Sequence, residues 1–158
     1  MRRFSNFFGA ALLAGSLGLS GVAFASVPAT VHDQFRDLGC DAAQIRSTAR
    51  NIERLNNGAT TTWREMDRQW NELKPAQEAL VQHLDLLQAM KNSMTPAERK
   101  ALDTAQTNAE RISARTTELH ATLDQKGIDV GSPTFHVLAH QMVHEANAIS
   151  QAATLKTR

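Results

Sequence analysis

Tyrosine is absent from this chain, tryptophan occurs twice and cysteine once among 158 residues. With so few aromatic and β-branched runs, the period-two alternation of a half-buried strand never develops, which argues against a sheet-based core. A single cysteine excludes an internal disulfide and a Cys-x-x-Cys-His haem attachment. No glycine-rich phosphate loop and no serine nucleophile elbow occurs. Glu65, Glu72 and Glu78 are not followed by histidine at the spacing of a di-iron bundle. Charge of one sign is also missing: the formal net charge is +1. That balance offers neither the basic excess of a nucleic-acid binder nor a polybasic membrane anchor.

The long apolar run is confined to the N-terminus. Arg2 and Arg3 precede a small-residue, apolar segment from Phe7 to Phe24, and Ala23-Phe24-Ala25 has the form cut by a signal peptidase. Residues 1–25 therefore read as a bacterial-type signal peptide, cleaved after Ala25, and residues 26–158 as one periplasmic or secreted domain. Losing Arg2 and Arg3 takes the formal charge from +1 to −1, and no membrane span is expected in what remains. Asp37-Leu38-Gly39-Cys40 lies too far past the apolar segment to be a lipoprotein site. Cys40 is expected to be a buried, inert thiol, the alternative being a disulfide-linked homodimer.

What the mature part does have is helical spacing. Val31, Phe35, Leu38, Ala42, Ile45, Ala49 and Ile52 recur at gaps of four and three, a coiled-coil-like seam. Gly39 is a place where this first helix could loosen, with Asp41–Gln44 as a restart, and Asn57-Gly58 a stop. A second seam runs through Trp63, Met66, Trp70, Leu73, Gln77, Leu80, Leu84 and Leu87, opened by the capping box Thr62–Glu65. Pro75 inside it removes one backbone hydrogen bond, so a kink is expected there rather than two separate helices. Thr95-Pro96-Ala97-Glu98 opens a third helix seamed by Leu102, Ala105, Ala109, Ile112, Thr116, Leu119 and Leu123, ended by Gly127-Ile128. Ser132-Pro133 opens a fourth, with Phe135, Leu138, Ala139, Met142, Ala146 and Ile149 inward and a tail fraying from about Ala153. Short connections between long amphipathic helices predict an all-α, antiparallel up-down-up-down four-helix bundle. Alanine-rich seams leave little room inside it for a cofactor.

His136, His140 and His144 stand at i, i+4 and i+8 on the fourth helix. At about 100° per residue they lie beside the apolar stripe and drift away from it, out to solvent. An i, i+4 imidazole pair can seat Zn²⁺, Cu²⁺ or Ni²⁺. His120 on the third helix is expected level with Ala139 and His140 as a helper, with Glu118 the nearest acid. An ordinary polar helix face would present the same row.

Arg46, Arg50 and Arg54 form another four-spaced stripe, read as a solvated face balanced by Asp33, Asp37, Asp41 and Glu53. Met66 and Met142 belong to seams, while Met90 and Met94, at i and i+4 near the end of the second helix, read as cover for the bundle end rather than as a thioether pair. Trp63 and Trp70 are expected to anchor one end of the core. His32 and His83 stand alone.

Two functions fit. The first is an exported, non-catalytic interaction protein, an adaptor or chaperone-like bundle with an envelope protein as partner. The alternative is a periplasmic transition-metal buffer, carrier or sensor using His136, His140 and His144, with His120 assisting.

Overall fold

The computed structural model describes residues 30–56, 63–123 and 133–154. Four α-helices account for nearly all of them: α1 Val31–Asn56, α2 Trp63–Ala89, α3 Pro96–Leu123 and α4 Pro133–Thr154, with a 3₁₀ turn at Lys91–Ser93 between α2 and α3. No strand occurs among the described residues.

Most seam positions form the core, while Val31, Trp70 and Gln77 are half-buried and the Leu123 side chain lies outside what is described. Phe35, Leu38, Ile45 and Ile52 of α1, Met66, Leu73, Leu80 and Leu87 of α2, Leu102, Ile112 and Leu119 of α3, and Phe135 of α4 are fully enclosed. Burial of these side chains contributes roughly 1.5–3 kcal/mol each before chain entropy is counted. Alanines fill the gaps between them, including Ala42, Ala49, Ala105, Ala139 and Ala146. Trp70 packs against this core while half-buried.

Helix starts follow local chemistry. At α3 the Thr95 N–H donates to Glu98 Oε2 at 2.7 Å and the Glu98 N–H donates to Thr95 Oγ1 at 3.3 Å, a reciprocal capping box. α1 opens on the same device, unanticipated from the sequence. The Asp33 N–H donates to Thr30 Oγ1 at 3.1 Å, and the Thr30 N–H donates to Asp33 Oδ2 at 3.0 Å.

Several expectations need correction. α1 runs unbroken through Gly39. A Cβ placed on Gly39 would stand 3.3 Å from Ala153 Cβ, so the glycine marks a close helix approach rather than a loosening. Asp41 opens no restart, because its carboxylate is engaged by His83 Nδ1 at 2.6 Å, and His83 is therefore not alone. Cys40 is exposed: Leu38 and Ala42 take the inward positions, and Cys40 falls on the outer side of α1. Met90 and Met94 do not share a helix, since α2 ends at Ala89 and the chain tightens into the 3₁₀ turn. Met94 is nonetheless buried and Met90 packs on the core, as cover for the bundle end requires. Ala153 is helical and buried rather than frayed. α2 continues through Pro75 as one helix. The signal segment, Thr62, the Trp63 side chain, Asn57-Gly58, Gly127-Ile128 and Ser132 lie outside what is described.

α1 packs most extensively on α4 and next on α2, α3 packs on α4, and α2 meets α3 sparsely. Cross-links between α1 and α4 fall at decreasing α4 numbers along α1. Gly39 lies by Ala153, Arg46 donates to Asn147 Oδ1 at 3.0 Å, and Glu53 meets His140 at 3.1 Å. Between α2 and α3, Gln88 accepts from Gln106 at 3.1 Å and Lys91 pairs with Asp103 at 3.0 Å.

Candidate functional site

The histidine row lies along the groove between α4 and α1, and the carboxylate of Glu53 reaches it from the last turns of α1. Leu138, Met142 and Ile149 bury the opposite side of α4, which turns the row outward. His136 is half-buried, and His140 and His144 are exposed.

His140 connects the group. Its Nδ1 is 3.1 Å from Glu53 Oε1. A carboxylate oxygen accepts, so Nδ1 carries the proton, and a neutral imidazole then keeps a lone pair at Nε2. That Nε2 lies 3.1 Å from His144 Nε2, within hydrogen-bond reach. The two rings meet edge to face with centroids 4.7 Å apart. His136 stacks on His140 at 6.1 Å and 14° but directs Nε2 toward Glu53 Oε1, 3.8 Å away, and its Nδ1 is buried without a hydrogen-bond partner in the protein.

His120 does not join the row. It lies on the α2 flank of α3, its ring 5.0 Å from that of Trp70. The expectation that it faces the helix-4 groove is corrected by the wheel of α3 itself. Arg115 and Glu118 take the α4 side, and Thr116, Thr117 and His120 take the α2 side. Glu118 sits 3.9 Å from Arg115. Among the described residues, no group of three or more His, Cys, Asp or Glu side chains is placed to hold a metal ion.

The arginine stripe is solvated as expected at Arg50 and Arg54, which are exposed, but the acids expected to balance it are engaged elsewhere. Arg46 bonds Asn147, whereas Asp33 and Asp37 pair with Arg36, Asp41 with His83, and Glu53 with the histidines. The four acids thus serve other partners.

A second surface feature follows from the sparse α2–α3 packing. A hollow of about 450 Å³ is lined by Trp70, Gln77, Ser113, Thr116, Thr117 and His120. A neighbouring one of about 380 Å³ shares Ser113 and adds Val81, Leu84, Asp85, Gln106, Ala109 and Glu110. A third, of about 510 Å³, lies along α2 over Lys74, Gln77, Glu78, Val81 and Asp85. Val81 is exposed, as are Leu86 of α2 and Val137 of α4. A hollow of about 340 Å³ between α3 and α4 is walled mostly by alanines and holds no aromatic side chain.

No protein-family model, curated protein or solved structure matches the chain. No helix among the described residues is long and apolar enough to cross a membrane.

Sequence spacing found the row and its outward aspect. It missed Glu53, because a helical wheel gives the face of one helix and not the neighbour across the groove. It missed the α2–α3 hollows for the same reason.

Proposed function

We propose that the chain is an exported, non-catalytic binding protein that holds an amphipathic helix of an envelope protein in the groove between α2 and α3. The observation that carries this reading is the open α2–α3 seam in a bundle whose other neighbouring helices pack closely. From Trp70 to Asp85 the groove follows α2 for about 20 Å at ~1.5 Å per residue, a length that suits four turns of a docked helix. Trp70, Val81, Leu84 and Ala109 supply apolar contact, and Trp70 is the kind of side chain that anchors an interface. Glu78, Asp85 and Glu110 outnumber Lys74 on the rim, which favours a partner with a basic flank.

The same reading takes residues 1–25 as a signal peptide cut after Ala25 and residues 26–158 as one up-down-up-down domain in the periplasm. The descending order of α1–α4 cross-links supports antiparallel neighbours, and Pro75 within α2 supports a kink. Exposure of Cys40 keeps a disulfide-linked homodimer available to this protein.

A photo-crosslinking residue placed at Val81, with Arg99 as a control position, tests the docking reading in the native envelope. One discrete protein adduct from position 81, persisting with chelator present, is the expected result. An adduct equally strong from position 99, or none from position 81, rules it out. N-terminal sequencing of the exported protein should begin at Ser26.

A further inference from the structure

We infer that His140 and His144 form a two-imidazole seat for a divalent transition-metal ion, with Glu53 as the outer carboxylate that orients His140. The site is on the opposite flank from the α2–α3 groove and is independent of the docking reading.

Three observations converge on it. First, the spacing is right for a shared ion. With metal–nitrogen bonds of about 2.0–2.1 Å, two imidazole nitrogens on one ion stand about 2.9 Å apart at a right angle and about 3.3 Å apart in a tetrahedron. The observed separation of His140 Nε2 and His144 Nε2 is 3.1 Å, between those limits.

Second, the protonation pattern is right. Glu53 accepts from His140 Nδ1, which leaves a lone pair on His140 Nε2, the atom 3.1 Å from His144 Nε2. A carboxylate behind a ligating imidazole fixes its tautomer and raises its basicity, the usual outer-shell arrangement of histidine metal sites. Glu53 comes from a different helix, 87 residues from His140 in sequence. An arbitrary polar face does not require such a partner.

Third, the alternatives are less well formed. His136 and His140 share no such nitrogen pair, because both direct a nitrogen at Glu53 Oε1. His120 is held at Trp70 on the other side of α3.

The protein thus supplies two nitrogen ligands on an exposed surface, and water or an external donor completes the coordination. Such a seat suits borderline ions that favour imidazole, namely Cu²⁺, Ni²⁺ and Zn²⁺, over Mg²⁺ or Ca²⁺. Binding is reversible and open to exchange, as a buffer or carrier requires.

The test is calorimetric titration of tag-free mature protein with Ni²⁺ and Zn²⁺, together with electron paramagnetic resonance of the Cu²⁺ complex. Saturable one-to-one binding is expected, with two imidazole nitrogens on Cu²⁺. His140→Ala and His144→Ala should each abolish saturable binding, and His120→Ala should retain it. Glu53→Gln should weaken binding about 10- to 100-fold and move its pH midpoint while the two-nitrogen copper signature persists. Unchanged helicity by circular dichroism in every variant keeps these losses separate from unfolding. Absence of saturable binding by wild type, wild-type affinity in His144→Ala, or a loss in His136→Ala as large as that in His144→Ala would overturn the assignment. Wild-type affinity in Glu53→Gln would overturn the role of the carboxylate.

Discussion

Glu145 shows how a single side chain can work against the fold that holds it. It projects from α4 toward α3, is buried, and leaves Oε2 without a hydrogen-bond partner in the protein. Arg115 Nε is 3.9 Å from its other oxygen, too far for a hydrogen bond. Burial raises the carboxyl pKa above its ordinary value of 4.5, against the opposing pull of Arg115 and Arg111. An acid with a raised folded pKa binds its proton more readily folded than unfolded. Its contribution to stability therefore declines as pH rises through the folded pKa, and it is most favourable below the unfolded one. Glu145→Gln is expected to be more stable than wild type at about pH 8, with the difference shrinking toward about pH 4. Denaturant midpoints at the two pH values check this, and a difference independent of pH would count against burial as the cause. The sequence placed Met142 and Ala146 inward but gave no sign that Glu145, beside them, would follow. Its burial depends on how far α3 overlaps α4, which no single-helix pattern specifies. Glu53 eluded the sequence for a related reason, its partners being on another helix.

Among the elements, helix boundaries were legible wherever a side chain had one local task. Thr95 and Glu98 could be paired from their spacing alone, and the structure joins them in both directions. Thr95→Ala should lower stability by about 1 kcal/mol, with little change in the slope of a urea transition, because only the cap is lost. An unchanged midpoint would show that the 3₁₀ turn ahead of α3 fixes the helix start without it. The equivalent box at Thr30 and Asp33 was less legible because Asp, not Glu or Gln, occupies the fourth position. Hydrogen bonds from the Thr30 hydroxyl and N–H lower the Asp33 pKa below its usual value, so this cap weakens as pH falls through the folded pKa. Gly39 was misread for the opposite reason. A mid-helix glycine reads as a weak point from propensity, but here it permits α1 and α4 to approach at Ala153.

At the scale of the molecule, the seams state which residues are inside and the alanines state how near the helices can come. Ala146 is wholly enclosed. Ala146→Leu adds three carbons to a filled seam and should destabilise by about 1–3 kcal/mol, read from thermal or urea unfolding. A neutral result would reveal slack between α1 and α4. Which helix pairs pack closely was not legible, since all four carry comparable apolar stripes. The closest association joins the first helix to the last, with Arg46 and Asn147 separated by 101 positions. Drawing together the ends of a loop that long costs about 4 kcal/mol of chain entropy. A ribosome makes α1 before α4, so the earliest of the four helices must wait for its principal neighbour while α2 and α3 are made. Until α4 emerges, α2 alone is there to cover the first helix, and the face that will meet α4 stands open to water.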